Sequence, residues 1–231
     1  MEQSQFNDHN KQEHLPIHTN ELDAVLNSLL QKVPMTAEIL LYKQQNLNIN
    51  TQWISWSIEM LKAGYETENI IILAGEDLHC NPFEFTALID RIFEELHLEK
   101  ISPHRIFIIY SIHIIKQALQ SPDKESISEA LFKLEKLCIE NDYNSTLYKF
   151  YLLSNAIGEL EAFDSQWYWN DTSLTKENWC EYASNYLEQW INNPLQENEL
   201  TKRKYFSEKI MISKSPKMNL LKKIFSYFCK Q

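Results

Sequence analysis

Apolar residues recur at intervals of three or four along most of the chain, the spacing that lines them up on one face of an α-helix. Residues 51–96 show this most clearly, because they contain three such patterns together with residues that start and stop helices. Asn50 or Thr51 can cap the first helix through a side-chain oxygen. The pattern then runs to Gly64, and glycine readily adopts the left-handed conformation common at helix ends. The sequence therefore predicts an amphipathic helix between these signals.

The next two helices in this stretch have equally local signals. Thr67 can cap a short helix, which we expect to end at Gly75 in the same left-handed way. Asn81 is a suitable N-cap for the third helix, and Pro82 takes the first helical position, where its missing N–H removes no hydrogen bond. The apolar residues expected on the buried side of this third helix are Phe83, Phe85, Leu88, Ile89, Ile92, Phe93 and Leu96.

Helical patterns also cover most of the remaining chain. A strand is the alternative for residues 106–115, because this run is rich in β-branched residues. A helix is favoured there, since a cap-then-proline start precedes the run and its apolar residues do not alternate with polar ones. We therefore predict an all-α protein, an irregular array of about eight to ten helices. The expected starts outside residues 51–96 are Asn20, Met35, Ser102-Pro103, Ser121 or Asp123, Ser145 and Thr175.

Two segments of the chain resemble each other. They are LKAGYETENI at residues 61–70 and CIENDYNSTL at residues 138–147. Each runs from the end of one predicted helix, through a turn that contains a tyrosine, to a new helix with a Ser or Thr at its start. The similarity indicates two related helix–turn–helix units within the array.

Charge and polarity divide the chain into three regions. Residues 1–19 form a polar leader that we expect to be mobile, and residues 20–193 form the helical domain. Residues 194–231 form a basic extension, in which residues 201–231 contain nine Lys or Arg and a single acid. Because the formal net charge of the whole chain is −10, the part before residue 201 has a net charge of −18.

This distribution of charge restricts the partners that the protein can bind. An acidic body repels nucleic acid and attracts a basic protein, so we expect a basic protein partner and no nucleic acid. Residues 217–230 combine lysines with apolar residues at helical spacing, which permits contact with an anionic membrane. Docking on the acidic body is favoured instead, because one weak helix without a lipid anchor binds membranes only marginally.

The composition also excludes several classes of enzyme. The chain has three glycines, which are too far apart to build a glycine-rich phosphate or dinucleotide loop. Its four cysteines form no CxxC pair, and neither His14 with His18 nor the polar cluster at residues 76–80 makes a convincing metal site. We therefore expect no cofactor and no metal. The cysteine usage and the lack of a signal-peptide pattern predict a cytoplasmic protein.

Residues 159–171, here called the acidic-aromatic segment, combine carboxylates with large aromatic side chains. In the simplest interpretation the aromatics anchor a long inter-helix loop to the core. In a second they form a protein-binding surface, because Trp and Tyr are favoured interface anchors and acids select basic partners. In a third the carboxylates perform acid–base chemistry, which depends on a separation that the sequence leaves open. The candidate residues are Glu159, Glu161, Asp164, Trp167, Tyr168, Trp169 and Asp171.

Three stretches of the chain resemble a known group of proteins. They are WISWSIEMLKAGYETENIIILAG, NPFEF and LYKFYLLSNAIGELE, beginning at residues 53, 81 and 147. Over residues 50–190 the chain is similar to uncharacterised bacterial helical proteins of the immunity-protein kind. The resemblance implies a small cytoplasmic binding protein without catalysis, and it carries over no catalytic residue. Ser154-Asn155 stands where acidic residues are expected in such proteins.

These observations predict a non-enzymatic, acidic protein-binding module. One form of it is an immunity-type protein that neutralises a basic partner. The alternatives are a carboxylate-dependent, hydrolase-like enzyme that uses residues 159–171, and a membrane-surface adaptor that uses the basic tail.

Overall fold

Residues 18–47, 51–76 and 81–192 are described by the computed structural model, and in these ranges the chain forms nine α-helices, one 3-10 turn and no strand. The predicted all-α, multi-helix fold is confirmed. The leader and the basic extension fall almost entirely outside the described residues, as do His14 and the basic segment 217–230. The helices are α1 (His18–Lys32), α2 (Thr36–Gln44), α3 (Thr51–Lys62), α4 (Glu68–Ala74), α5 (Pro82–Glu95), α6 (Pro103–Ala118), α7 (Lys124–Glu140), α8 (Tyr148–Phe163) and α9 (Trp179–Asn192).

The helices group into two compact units that divide between Lys100 and Ile101. Unit 1 contains α1 to α5 and the 3-10 turn Leu98–Lys100, and unit 2 contains α6 to α9. The range 20–193, predicted as one helical domain, includes residues of both units.

The core of unit 1 is built around Trp56. Its side chain is fully buried, and its indole N–H donates to the hydroxyl of buried Thr36 at 3.0 Å. The rings of Trp53 and Phe93 lie 6.4 Å from the Trp56 ring, in edge-on and tilted arrangements. A polar N–H can lie in this core because its one donor has a partner.

Most of the predicted start and stop signals in unit 1 act as expected. Thr67 accepts a hydrogen bond from the Ile70 N–H at 3.4 Å, and Asn81 accepts one from the Phe83 N–H at 3.0 Å. Gly64 has a φ of +87°, the left-handed conformation predicted for it. These bonds satisfy N–H groups that have no partner within their own helix.

Two local predictions in unit 1 are wrong. Gly75 does not end α4 in a left-handed conformation, because its φ is −94° and the Glu76 N–H continues the turn by bonding to the Leu73 carbonyl. Phe83 is not on the buried side of α5, since it is 86% exposed. It precedes buried Phe85 by two residues, and residues two apart lie on different faces of a helix.

Unit 2 begins with α6, which is helical through residues 106–115 and confirms the favoured prediction over a strand. Ser102 caps it by accepting from the Arg105 N–H at 3.4 Å. Asp123 rather than Ser121 caps α7, through a 2.8 Å bond from the Ser126 N–H. This bond stabilises the carboxylate and lowers the pKa of Asp123.

The two predicted helix–turn–helix units are α3 with α4 and α7 with α8. Their turns close with the same backbone bond, from the Tyr65 N–H to the Met60 carbonyl at 3.0 Å and from the Tyr143 N–H to the Cys138 carbonyl at 2.9 Å. In each turn the residue before the tyrosine has a positive φ. The angle is +87° at Gly64, between α3 and α4, and 51° at Asp142, between α7 and α8. The two turns thus share their closing bond and a left-handed residue before the tyrosine, and they differ in that Tyr143 itself has a positive φ of 56°.

Candidate functional site

The acidic-aromatic segment begins inside α8 and continues into the connection to α9. Glu159 and Glu161 are helical, whereas Asp164 follows the last helical residue in a left-handed conformation with a φ of 57°. Its N–H bonds to the Leu160 carbonyl at 3.0 Å. Aspartate tolerates this conformation better than most residues do, so the chain can leave the helix sharply here.

An ion pair ties the start of the α8–α9 connection to its end. The Lys176 ammonium donates to the Asp164 carboxylate at 2.6 Å, and both groups are exposed. This bond raises the pKa of Lys176, and the nearby carboxylates of Glu177 and Glu161 add to the effect. Exposed pairs contribute little stability, so the bond mainly orients the connection.

The tip of the connection is held by a side chain that acts as a clamp. The Gln166 carboxamide accepts from the Trp169 N–H at 2.7 Å and donates to the Trp169 carbonyl at 2.8 Å. The Trp167 N–H donates to the Glu159 carboxylate on α8 at 3.1 Å. Backbone groups on both sides of Tyr168 thus have partners, which gives an irregular stretch a defined shape.

Trp169 anchors the connection to the helices. Its indole N–H donates to the Tyr182 hydroxyl on α9 at 2.8 Å, and its ring meets the Tyr186 ring edge-on with centroids 5.2 Å apart. The Lys149 ammonium of α8 lies 5.4 Å from the centre of the same ring. The anchoring role, the simplest interpretation of the sequence, thus applies to Trp169.

The Trp167 side chain is exposed to solvent rather than packed against the helices. It is 82% exposed, and Phe163 at the end of α8 is 74% exposed. Of the other five tryptophans, Trp53, Trp56, Trp179 and Trp190 are buried and Trp169 is half-buried. Trp167 is thus a large apolar side chain exposed to solvent on a backbone fixed by hydrogen bonds.

Tyr168 joins a group of tyrosines on one side of the connection. Its ring lies 6.3 Å from that of Tyr151, which also contacts the rings of Tyr143 at 5.2 Å and Tyr148 at 5.7 Å. Burial raises the pKa of Tyr151 to about 12, and the three neighbouring tyrosines and Glu135 add to the shift. Tyr168 is 38% exposed, so it is partly anchor and partly surface.

Asp171 serves the entry to α9. Its carboxylate accepts from the Ser173 N–H at 2.9 Å and from the Tyr182 hydroxyl at 2.8 Å. These bonds lower the pKa of Asp171, and the bond from the Ser173 N–H has the largest effect. Burial raises the pKa of Tyr182. A general acid at neutral pH needs a raised carboxyl pKa, so the shift at Asp171 is opposite to that requirement.

Two small cavities are lined by residues outside the acidic-aromatic segment. One of about 60 Å³ in unit 1 is lined by Tyr42, Trp53 and neighbouring residues, and one of about 140 Å³ lies between α6 and α7. Neither is lined by a residue of the acidic-aromatic segment. Within the described ranges no group of three or more His, Cys, Asp or Glu is arranged to hold a metal ion. Among the described helices, none is long and apolar enough to cross a membrane.

No family model, curated protein or solved structure matches the chain. The similarity to immunity-type proteins therefore stays a prediction. The polar pair Ser154-Asn155, noted as a departure from such proteins, has a structural role, because both side chains donate to the Glu135 carboxylate on α7, at 2.6 and 2.8 Å.

The structure adds three residues that the sequence did not single out for the site. Gln166 clamps the tip, Tyr182 links Trp169 to Asp171, and Phe163 is a second exposed aromatic residue, at the end of α8. A glutamine in a loop carries no recognisable pattern, and Tyr182 is one of several tyrosines with the spacing of core residues. Only Phe163, an apolar residue beside the acids, could have been included from sequence.

Proposed function

We propose that this protein is a non-enzymatic binding module, and that its acidic-aromatic segment binds a basic surface of a protein partner. The observation that supports this most directly is Trp167, exposed on a backbone held by Glu159 and the Gln166 clamp. Tryptophan is among the strongest anchors of protein interfaces. A backbone that is ordered before binding loses less conformational entropy when the partner arrives.

The charge around Trp167 supports a basic partner. Residues 101–158 of unit 2 contain six acids and six Lys or Arg, whereas residues 159–192 contain seven acids and one lysine. The negative charge of unit 2 is therefore concentrated in the part of the chain that displays Trp167. Such a field accelerates association with a positive surface and disfavours acidic partners.

The roles of the carboxylates support binding over the carboxylate-enzyme alternative. Glu159 holds the Trp167 backbone, Asp164 pairs with Lys176, and Asp171 is bonded as an anion to Ser173 and Tyr182. Each of these acids already serves to shape the surface. An immunity-type role in the cytoplasm, with a basic toxin as partner, is the form of this proposal that the sequence resemblance favours.

The test is affinity capture from the native cell with matched variants, at low and high salt. Phe132 on α7 is 62% exposed and provides the control, because Phe132→Ala removes another large exposed aromatic side chain that lies outside the segment. We expect basic proteins that the natural chain and Phe132→Ala retain at low salt, and that Trp167→Ala or high salt releases. Retention of the same proteins by folded Trp167→Ala would contradict the proposal.

A further inference from the structure

The exposed residues around Trp167 indicate which kind of peptide segment would bind them. Phe163 and Trp167 expose apolar rings, and Glu161 and Asp164 are exposed acids next to them in the chain. A segment that buries such rings and also pairs with such acids needs apolar side chains flanked by lysine or arginine. An amphipathic basic helix has these two properties together.

The chain itself contains a segment of this composition. Residues 217–230 have four lysines and no acid. Apolar residues recur in it at helical spacing, and this segment lies outside the described residues. The apolar residues expected on one side of such a helix are Met218, Leu221, Ile224, Phe225 and Phe228.

The linker is long enough to bring the two together. The described chain ends at Asn192, the last residue of α9, and α9 has 14 residues, which makes it about 20 Å long. Residues 193–216 provide 24 residues between Asn192 and this segment, and a chain of that length reaches at most about 80 Å, well beyond the length of α9. A connection that can reach the surface makes the contact intramolecular, so the segment is present there at a high effective concentration.

We infer that residues 217–230 dock on the acidic-aromatic segment of the same chain and cover Trp167. The docked segment occupies the surface that a basic partner needs, so it acts as an intramolecular competitor. This regulatory consequence rests on the proposed function, whereas the contact itself does not. A partner then binds by displacing the chain's own basic segment, and only a partner with a stronger combination of apolar and basic contacts succeeds.

Trp167 provides the measurement on the full chain. Because four of the other tryptophans are buried and Trp169 is half-buried, acrylamide quenching of tryptophan fluorescence reports largely on Trp167. The Trp167→Phe variant identifies its contribution. We expect that contribution to be small in the natural chain at 0.1 M salt, and to rise when Lys222 and Lys223 are both replaced by Glu. Salt at 1 M should also raise the contribution of Trp167 to quenching, because the Debye length falls from about 10 Å at 0.1 M to about 3 Å.

A matched control separates docking from diffuse attraction. Replacing Lys202 and Lys204 by Glu changes the charge equally but leaves residues 217–230 intact, so quenching should stay as in the natural chain. An equal rise in this control would overturn the proposal. So would full quenching of Trp167 in the natural chain at 0.1 M salt.

Zero-length cross-linking identifies the occupant. Carbodiimide should join Lys222 or Lys223 to Glu161 or Asp164 within one chain, as shown by mass spectrometry on mixed light and heavy isotope-labelled protein. Cross-links that join a light to a heavy chain would replace this proposal with docking between two copies. Binding to phosphatidylserine vesicles, with Trp167 uncovered before they are added, would assign the segment to a membrane instead.

These experiments need no external partner, so they succeed or fail independently of the affinity capture. If capture shows no protein that depends on Trp167 while the cross-link is present, the proposed function fails and the internal contact stands. If both hold, the variant with Lys222 and Lys223 replaced by Glu should retain more partner than the natural chain does.

Discussion

Trp167 is exposed and Trp169 anchors the connection, and this difference gives a quantitative prediction for a matched pair of variants. Trp167→Ala removes a side chain that is 82% exposed. A tryptophan buries up to about 250 Å² when fully covered, so this residue buries about 45 Å². At about 25 cal/mol per Å² its removal lowers the free energy of unfolding by ~1 kcal/mol or less.

Trp169→Ala removes three specific contacts. The hydrogen bond to Tyr182 contributes about 1 kcal/mol. The edge-on contact with Tyr186 contributes about 1 kcal/mol, and the Lys149 ammonium over the ring about 0.5–1 kcal/mol. With some loss of apolar burial, we expect the free energy of unfolding to fall by about 3 kcal/mol.

The assay is urea unfolding followed by circular dichroism at 222 nm, because a fluorescence signal would itself change with each variant. Trp167→Ala should unfold close to the natural midpoint, and Trp169→Ala at a clearly lower urea concentration. Equal losses in the two variants would show that Trp167 also supports the fold, and would remove the main argument for a displayed binding residue.

The remaining predictions concern the core and the glycines. Thr36→Val leaves the buried Trp56 indole N–H without its partner and should lower the free energy of unfolding by about 1–3 kcal/mol. Thr36→Ser keeps the hydroxyl and should lower the free energy of unfolding by less. Equal losses in the two variants would contradict the role of the hydrogen bond. Gly64→Ala should destabilise by about 1–2 kcal/mol in thermal or urea unfolding, because its φ of +87° is unfavourable for alanine even though no atom lies within 4 Å of the added carbon. Gly158→Ala, inside α8 and with equal room, should instead stabilise by about 0.5–1 kcal/mol, and the same sign for both glycines would refute the conformational argument. Burial raises the pKa of the Cys138 thiol to about 12, so at pH 8 only about one thiol in 10⁴ is ionised and iodoacetamide should leave the Cys138 peptide unmodified until the protein unfolds.

The helices could be predicted because their signals act over a few residues. The caps Thr67, Asn81 and Ser102 each bond to a backbone N–H two or three residues later. Such contacts form within one turn of helix, so the residue types are sufficient to identify them. The prediction was wrong where glycine can end a helix in more than one conformation. Gly75 ends α4 without adopting the left-handed conformation.

The fold class and the division of charge also followed from the sequence, because the spacing of apolar residues and the count of ionisable groups do not depend on the tertiary structure. The grouping of the helices into two units did not follow, since it depends on which helices pack together. Helix faces of similar size and polarity can pack in several combinations.

The roles within the acidic-aromatic segment were decided only by tertiary contacts. In the sequence Trp167 and Trp169 are near-identical neighbours among acids, and the same interpretations applied to both. Trp169 becomes an anchor because Tyr182 and Tyr186, more than ten residues further along the chain, meet it from α9. Trp167 has no comparable ring or hydrogen-bond contact through its side chain in the described part of the protein, and 82% of it is left exposed. The sequence alone determined that acids and aromatic residues occur together here, and the packing of α8 and α9 decided which aromatic side chain is free to bind, because burial depends on residues distant in sequence that periodicity and spacing do not identify.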